Sequence, residues 1–454
     1  MSDLLLTYYG DDFTGSTDVM EALVLGGVPT VLFLEPPSAE FVRQHFPAVR
    51  ALGVAGVSRS MSPTQMDAEL PPIFRALQAL GASLFHYKIC STFDSSPEIG
   101  SIGHAIEIGW RILQPRAVPM MVGAPPLKRY LLFGNLFASV GESTFRLDRH
   151  PTMRHHPSTP MNEADLRLHL ARQTQRKIGL IDALHLMQTD AQLAQRYESL
   201  VADGCEIILL DTLDQTHVEA IGRLIWSQHG EEPIFSASSS GLEYALTAYW
   251  QQEGIAHKPP PLPPAGAVEQ LIVVSGSAAP GTAAQIEWAL AHGFVGIRLE
   301  ASRLIDPALA DTEREISIAQ ALAHLGNGKS VLLYSACGPD DPSIPGTRKR
   351  LHELGLEPSS VGQRLGTQQG LIVRELLERT GIERAVVTGG DTCGHAMRQL
   401  GVYALEIAMP VAPGAPLCRA HSSNPLFRNL EIALKAGQVG KPDYFGSILR
   451  GSLG

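Results

Sequence analysis

The stretch from Leu4 to Asp18, Leu4-Leu5-Leu6-Thr7-Tyr8-Tyr9-Gly10-Asp11-Asp12-Phe13-Thr14-Gly15-Ser16-Thr17-Asp18, restricts the folds open to this chain more than any other. Its apolar run reads as a buried strand that stops at a glycine. Two adjacent carboxylates follow, then a second glycine among hydroxyl residues. From Val19 the apolar spacing turns helical, with Val19, Met20, Leu23 and Val24 on one side. Strand, polar turn and helix make one unit of an open parallel sheet, and there the turn sits at the C-terminal strand edge, where ligands bind. Asp11 and Asp12 are thereby placed where chemistry is done. The same residues would also suit a plain βα turn in which Asp and Thr cap the helix.

The rhythm repeats along the chain. Pro29–Leu34, Ala51–Val57 and Ser83–Ile89 read as strands, Met66–Leu80 as a helix, and a further helix is expected from about Ile99. Residues 134–160, rich in His, Pro and Arg, read as a long irregular segment with no metal-ligand spacing among its histidines. Lys177–Asp182 and Glu206–Asp211 are strands ending in Asp, and Pro233–Gly241 leads into a helix at Leu242. The run His257–Gly266 is dominated by prolines, which stiffen the chain and deny it ladder donors. It predicts a linker over 257–267 between an N-terminal domain, 1–256, and a C-terminal domain, 268–454. The fold class expected is α/β, each domain a mainly parallel sheet flanked by helices, with an active site in the cleft between them.

Bulk properties narrow the function. With 44% hydrophobic and 18% charged residues, 454 residues suffice for two globular cores. A net charge of -10 argues against a broad nucleic-acid footprint. Five scattered cysteines, without a C-x-x-C pair, fit reduced thiols in a cytoplasm. No leader pattern and no apolar run of about 18 residues is present, so a cytoplasmic protein without membrane contact is expected. The oligomeric state is open, a homodimer being one outcome.

Three loops of the second half share one chemistry. Ser275–Thr282 and Gly389–Gly394 follow apolar runs and open helices; Lys435–Lys441 is a basic glycine loop. Glycine lets backbone N–H groups approach an anion, and a helix N-terminus adds its dipole. Together they suit a polyphosphate nucleotide, although each alone suits a tight turn. Gly326-Asn327-Gly328-Lys329-Ser330 imitates the end of a P-loop, but Ala323 stands where that pattern needs glycine, and the segment precedes a strand. It reads as a helix C-cap and connector. The first half offers Asp11, Asp12, Arg59, Lys88, Ser91, Thr92 and Asp94 at or just after strand ends. Acids beside cations and hydroxyls suit a small anionic substrate, with Arg59 and Lys88 for its charge and an Asp to deprotonate a hydroxyl.

Tyr9-Gly10-Asp11-Asp12-Phe13-Thr14-Gly15-Ser16-Thr17-Asp18 resembles the A-D-D-[LF]-T-G-A-x-[DE] opening of the four-carbon acid sugar kinases. Val274-Ser275-Gly276-Ser277 with Gln285-Ile286 is similar to that family's V-S-G-S…Q-I element, and Thr388-Gly389-Gly390-Asp391-Thr392 to its T-G-G-D-T element. The resemblance spans nearly the whole chain. It implies a sugar-binding N-terminal domain and a nucleotide-binding C-terminal domain. It also implies ATP with Mg²⁺, and substrates such as 3-oxo-tetronates. Two segments depart from the pattern. Where the family has K-x-D-S-T-x-R-G-N, this chain has Lys88-Ile89-Cys90-Ser91-Thr92-Phe93-Asp94-Ser95-Ser96, which resembles the branch acting on 3-oxo-isoapionate. Where it has K-[ST]-G-G-F-G, this chain has Lys435-Ala436-Gly437-Gln438-Val439-Gly440, a change expected to loosen or re-aim the phosphate loop.

The expectation is an ATP-dependent kinase of a small acid sugar. Asp12 is the expected base, with Asp11 beside it orienting metal or substrate; Arg59, Lys88, Ser91 and Thr92 bind the sugar. Ser275, Ser277, Gly389, Gly390, Asp391, Thr392, Lys435, Gly437 and Gly440 bind the nucleotide, and no residue is assigned to the metal. The alternatives are a non-catalytic sugar-acid sensor and a nucleotide-independent lyase.

Overall fold

The apolar run at the start of the chain forms strand β1 (Leu6–Gly10), every residue of it buried in the computed structural model. The structure describes residues 4–156, 159–230, 232–357 and 360–452; the Asp391 side chain lies outside the described residues. The chain divides into two units, Met1–Pro259 and Pro260–Gly454, the break falling inside the proline-rich run.

In the first unit β2 (Thr30–Phe33), β3 (Ala51–Ala55) and β4 (Leu84–Lys88) follow β1. Next come β5 (Val118–Met121), β6 (Arg129–Leu132), β7 (Asn135–Val140) and β8 (Ser143–Arg146). The last three are β9 (Ile178–Ile181), β10 (Ile207–Leu210) and β11 (Ile234–Ser238). The main sheet runs β11-β4-β1-β3-β2, all parallel. A second parallel sheet runs β5-β10-β9, and β6-β7-β8 is an antiparallel meander. That meander corrects the expectation that 134–160 is irregular. Leu136 and Ala138 alternate inward along β7, a period of two that the surrounding His, Pro and Arg obscured. His150 and His156 each use Nδ1 to accept backbone N–H groups of their own loop.

The helix after β1 also begins earlier than its apolar spacing predicts, at Phe13 rather than near Val19, and runs to Leu25. Asp12 is its N-cap, so the polar residues Thr14 to Asp18 form the first turns. The helix expected from about Ile99 starts at Ile102, and the helix that Ser275–Thr282 opens starts within that stretch, at Pro280.

The second unit holds β12 (Ile272–Ser275), β13 (Val295–Arg298), β14 (Val331–Tyr334), β15 (Arg384–Thr388), β16 (Val402–Ala412), β17 (Ala415–Ser422) and β18 (Glu431–Lys435). Their order is β16-β17-β18-β15-β12-β14-β13. The core β18-β15-β12-β14-β13 is parallel, while β16 and β17 form an antiparallel hairpin at one side. Val273, Leu332, Val386, Ala433, Tyr444 and Phe445 are among the residues of its apolar core. The P-loop look-alike is a helix end: Gly326 caps helix Ala310–Leu325, and Ser330 Oγ accepts the Leu271 N–H before β14. No helix among the described residues is long and apolar enough to cross a membrane.

Candidate active site

Parallel pairing brings strand ends together. In the first unit Gly10 is level with Ala55 and Lys88, and Lys88 with Ser238. The backbone beyond the strand ends is tied in the same way: the Asp11 N–H donates to Lys88 O at 2.9 Å, and the Arg59 N–H to Asp11 O at 2.9 Å. Two aspartates, an arginine and a lysine from three strand ends are thereby gathered by the sheet itself.

The two aspartates take different parts. Arg59 grips Asp11 with a fork, Nη2 to Oδ1 at 2.7 Å and Nε to Oδ2 at 3.1 Å. Nη2 also donates to Asp12 Oδ1 at 2.6 Å. Asp12 further accepts the Gly15 N–H (3.0 Å) and the Thr14 hydroxyl (2.7 Å). The Asp11 side chain is 3% exposed and that of Asp12 17%, so Asp12 is the one a ligand can reach. Burial pushes the Asp11 carboxyl above the usual aspartate range, against the pull of Arg59. Burial would raise Asp12 too, but the charges of Arg59 and Lys88 and the bonds from Thr14 and Gly15 outweigh it, and its carboxyl lies below the usual range. Two neighbouring acids with pKa values driven apart are the mark of divided roles.

Lys88 is 2% exposed, yet its ammonium forms no hydrogen bond or ion pair among the described residues. It stands over Gly15, whose missing side chain leaves the space: a Cβ there would overlap Asp12 Oδ1 and lie 2.9 Å from Lys88 Nζ. Arg59 uses Nε and Nη2 on the aspartates, and its Nη1 bonds to none of the described residues. Thr92 turns inward. It is 7% exposed, donates to Asp94 Oδ1 at 2.7 Å, and so accepts the Cys90 thiol at 2.9 Å; Ser91 beside it is half-buried. Burial pushes the Cys90 thiol up to about 11, so it stays protonated.

Sequence reasoning overlooked the layer beneath. His86, two residues before Lys88 on the same face of β4, places Nδ1 2.6 Å from Glu243 Oε1 and donates from Nε2 to Ser238 O. Both side chains are fully buried. Asp18 lies in the field of Lys88 and Glu243, and burial raises its pKa. Nothing in local spacing marks His86 and Glu243, because strand and helix supply them from far apart in the chain.

In the second unit Ser275 is level with Thr388, and Thr388 with Lys435. The three glycine loops therefore leave one sheet edge side by side. Ser277 Oγ accepts the Ala279 N–H at 3.2 Å. Gly437 lies so close to this turn that a Cβ would overlap Ser277 Oγ and Ala279 Cβ. Gly389 takes φ 127° at the start of helix Gly390–Gln399, and Thr392 Oγ1 sits against Gly276 and Gly389. A Cβ built on Gly390 meets nothing within 4 Å, so this turn is open. Lys435 is fully buried and donates to Thr282 Oγ1 and Thr388 Oγ1, each at 3.1 Å. Burial lowers its pKa to about 8.

Two glutamines brace these loops. Gln285 Nε2 meets the carbonyls of Val439 (2.9 Å), Gly440 (3.2 Å) and Lys441 (3.1 Å). Thr282 Oγ1 adds a bond to Gly437 O at 2.8 Å. With Gln438 and Val439 in place, the basic loop is held by these four bonds. Gln369, from helix Val361–Thr380, donates to Ser275 O at 3.1 Å and was not foreseen.

The N-terminal unit gathers a carboxylate pair at the end of its first strand, and the C-terminal unit gathers three glycine loops at one sheet edge, the arrangement of a two-domain α/β protein. Residues 6–246 match the sugar-binding N-terminal domain model and residues 272–445 the nucleotide-binding C-terminal domain model. The chain belongs to the four-carbon acid sugar kinase family. It is 49% identical to the 3-oxo-isoapionate kinase of Paraburkholderia graminis over 450 residues, covering 99% of this chain and 95% of the relative. It is 32% identical to the 3-oxo-tetronate kinase of Cupriavidus necator, covering 98% and 96%. A solved structure from Haemophilus influenzae shares the fold, with a TM-score of 0.69 at 23% identity over 97% of this chain and 98% of that one.

Proposed function

We propose that this protein transfers the γ-phosphoryl group of ATP to a hydroxyl of a branched acid sugar of the 3-oxo-isoapionate type. The observation that carries the acceptor half is the buried, unbonded Lys88 ammonium beside the accessible carboxylate of Asp12. Lys88 sits in the field of Asp12 and Asp18 without a direct bond to either, so its donors are left for a ligand, and a substrate carboxylate takes them. Arg59 Nη1 is a second donor for that carboxylate. Asp12 receives the proton of the attacking hydroxyl as its oxygen bonds to phosphorus and the bridging oxygen leaves with ADP. A carboxylate held below the usual range is a weak base, and phosphoryl transfer needs no strong one, since its barrier is met mainly by positioning and charge neutralisation. Asp11, clamped by Arg59, fixes the turn. Cys90, neutral where the family pattern carries Asp, sets the sugar preference together with Ser91 and Thr92.

The turns at Ser275–Ser277, Gly389–Thr392 and Gly437–Gly440, with the Lys435 ammonium, hold the phosphates. Magnesium fits as a companion of those phosphates. Among the described residues no three His, Cys, Asp or Glu side chains gather to cage a metal ion, and the loops present hydroxyl, amide and ammonium groups. Mg²⁺ commonly binds through substrate phosphates and water in this way.

An ADP-release assay across tetronates, 3-oxo-tetronates and 3-oxo-isoapionate tests the reading. Turnover fastest on 3-oxo-isoapionate supports it. A preference for a 3-oxo-tetronate overturns the substrate assignment, and tight sugar-acid binding without ADP release overturns the kinase.

A further inference from the structure

The parallel core of the second unit has two edges, and the glycine loops occupy one. At the other, a cavity of about 370 Å³ opens where β15 and β18 begin. Arg384 and Glu431, the first residues of those strands, are level with each other and line it. Thr388 and its glycine loop lie at the far end of β15, on the order of 13 Å away.

The cavity is rich in charge, and much of that charge is already paired. Arg384 is 2% exposed. Its Nε donates to Glu431 Oε2 at 2.8 Å, and Nη2 reaches the same oxygen. Its Nη1 donates to Gly266 O at 2.8 Å and to Ile448 O at 2.9 Å, which ties the segment after the proline run to the sheet. Glu383 Oε1 accepts from Asn429 Nδ2 at 2.9 Å. Two cations remain. Arg419, on β17, and Arg428 line the cavity and are exposed, and neither guanidinium has a hydrogen bond or ion pair among the described residues. Arg419 is level with Glu431, but Arg384 engages that carboxylate. Its neighbour on the other side, Glu406, pairs with His421 at 2.6 Å. Three arginines thus face two glutamates, a positive excess in a chain whose net charge is -10. A cleft focuses such a field and draws anions to it.

We propose that this cavity binds a small molecule carrying oxyanion groups, carboxylate or phosphate, at a site separate from the candidate active site and independent of the function proposed for it. Its volume falls in the range of small-molecule sites. A guanidinium presents a planar fork of N–H donors that matches the paired oxygens of a carboxylate or phosphate, and Arg419 and Arg428 have theirs free of the described residues. Arg384 plays another part. Its donors are taken, so it fixes the cavity lining and leaves the ligand's charge to the other two arginines. Ala265, Ala267 and Val268 add a short apolar stretch, which suits the carbon skeleton of a small acid.

Titration calorimetry of the full chain with inorganic phosphate and with malonate tests the site and tells the two oxyanions apart. At least one is expected to bind with a Kd of about 1 mM or tighter. Two variants address the cavity: Arg419→Ala combined with Arg428→Ala, and Ala267→Glu, which sets a carboxylate in the lining. Each is expected to weaken the bound oxyanion by about tenfold or more. All three positions are exposed, so circular dichroism should match the wild type. Both oxyanions also suit the cations of the candidate active site, so Lys88→Met and Gly437→Val serve as controls. Each control is expected to keep the oxyanion affinity within about twofold of the wild type. Binding that survives both cavity variants, or that either control abolishes, overturns the proposal. So does the absence of binding by both oxyanions to the wild type.

Discussion

Arg59 meets Asp11 through a two-bond fork, Nη2 to Oδ1 at 2.7 Å and Nε to Oδ2 at 3.1 Å, and this fork is what lets two carboxylates stand side by side at the end of β1. Removing one partner of a buried pair leaves the other uncompensated, at a cost of ~3–5 kcal/mol. Arg59→Met should therefore lower the thermal midpoint of the protein markedly. Asp11→Asn in that background should recover a large part, because it removes one of the two facing charges. A melting curve for Arg59→Met that overlays the wild type would show that the fork does not organise the turn.

The contact between Gly437 and Ser277 leads to a second expectation. A side chain at 437 must displace Ser277 Oγ and Ala279, so Gly437→Val pushes two of the glycine loops apart. ATP affinity should fall by about tenfold or more, equivalent to ~1.4 kcal/mol. The affinity for the sugar acid should stay at the wild-type value, since its machinery lies on other strands. Loss of both affinities together would mean that the substitution damages the fold at large.

Lys435 makes stability depend on pH. Burial lowers its pKa to about 8, against 10.5 for the free side chain. Below about pH 8 the folded and unfolded chains both hold the proton, and the fold carries the full cost of the buried charge. Between about 8 and 10.5 only the unfolded chain holds it, so this group's contribution to stability rises with pH, by up to about 1.4 kcal/mol per unit. Above that range the contribution is constant. Nucleotide affinity should run the other way, weakening as the ammonium is lost. Denaturant titrations of nucleotide-free wild type and Lys435→Met at about pH 7.5 and about pH 9.5 check the sign; a difference between the two proteins that does not change with pH would remove Lys435 as its source.

The parts of the site that lay open in the sequence are those that come directly after a buried strand. Asp11, Asp12, Lys88, Ser275 and the turn after Thr388 each end an apolar run, and the parallel sheet then sets them level. Gln369 gave no such signal. It sits in mid-helix, and only packing carries it to Ser275, 94 residues away. Gln285 stood in a recognised motif, but its task, collecting three carbonyls of a loop beyond residue 438, depends on a distant contact. The hairpin β16–β17 was hidden by Pro410, which argues against a strand. Register shifts on either side of Met409 accommodate it. His86 and Glu243 pair across 157 residues, beyond any local pattern.

Asp12→Asn tests the central claim. Asparagine caps a helix as well as aspartate, so the bond from Gly15 and the turn survive while the proton acceptor is lost. In steady-state assays with ATP and 3-oxo-isoapionate, kcat should drop by ~10²–10⁴, with the ATP KM near the wild-type value and the fold unchanged by circular dichroism. A kcat within about twofold of the wild type would contradict the account, because Asp12 could then not be the group that takes the proton.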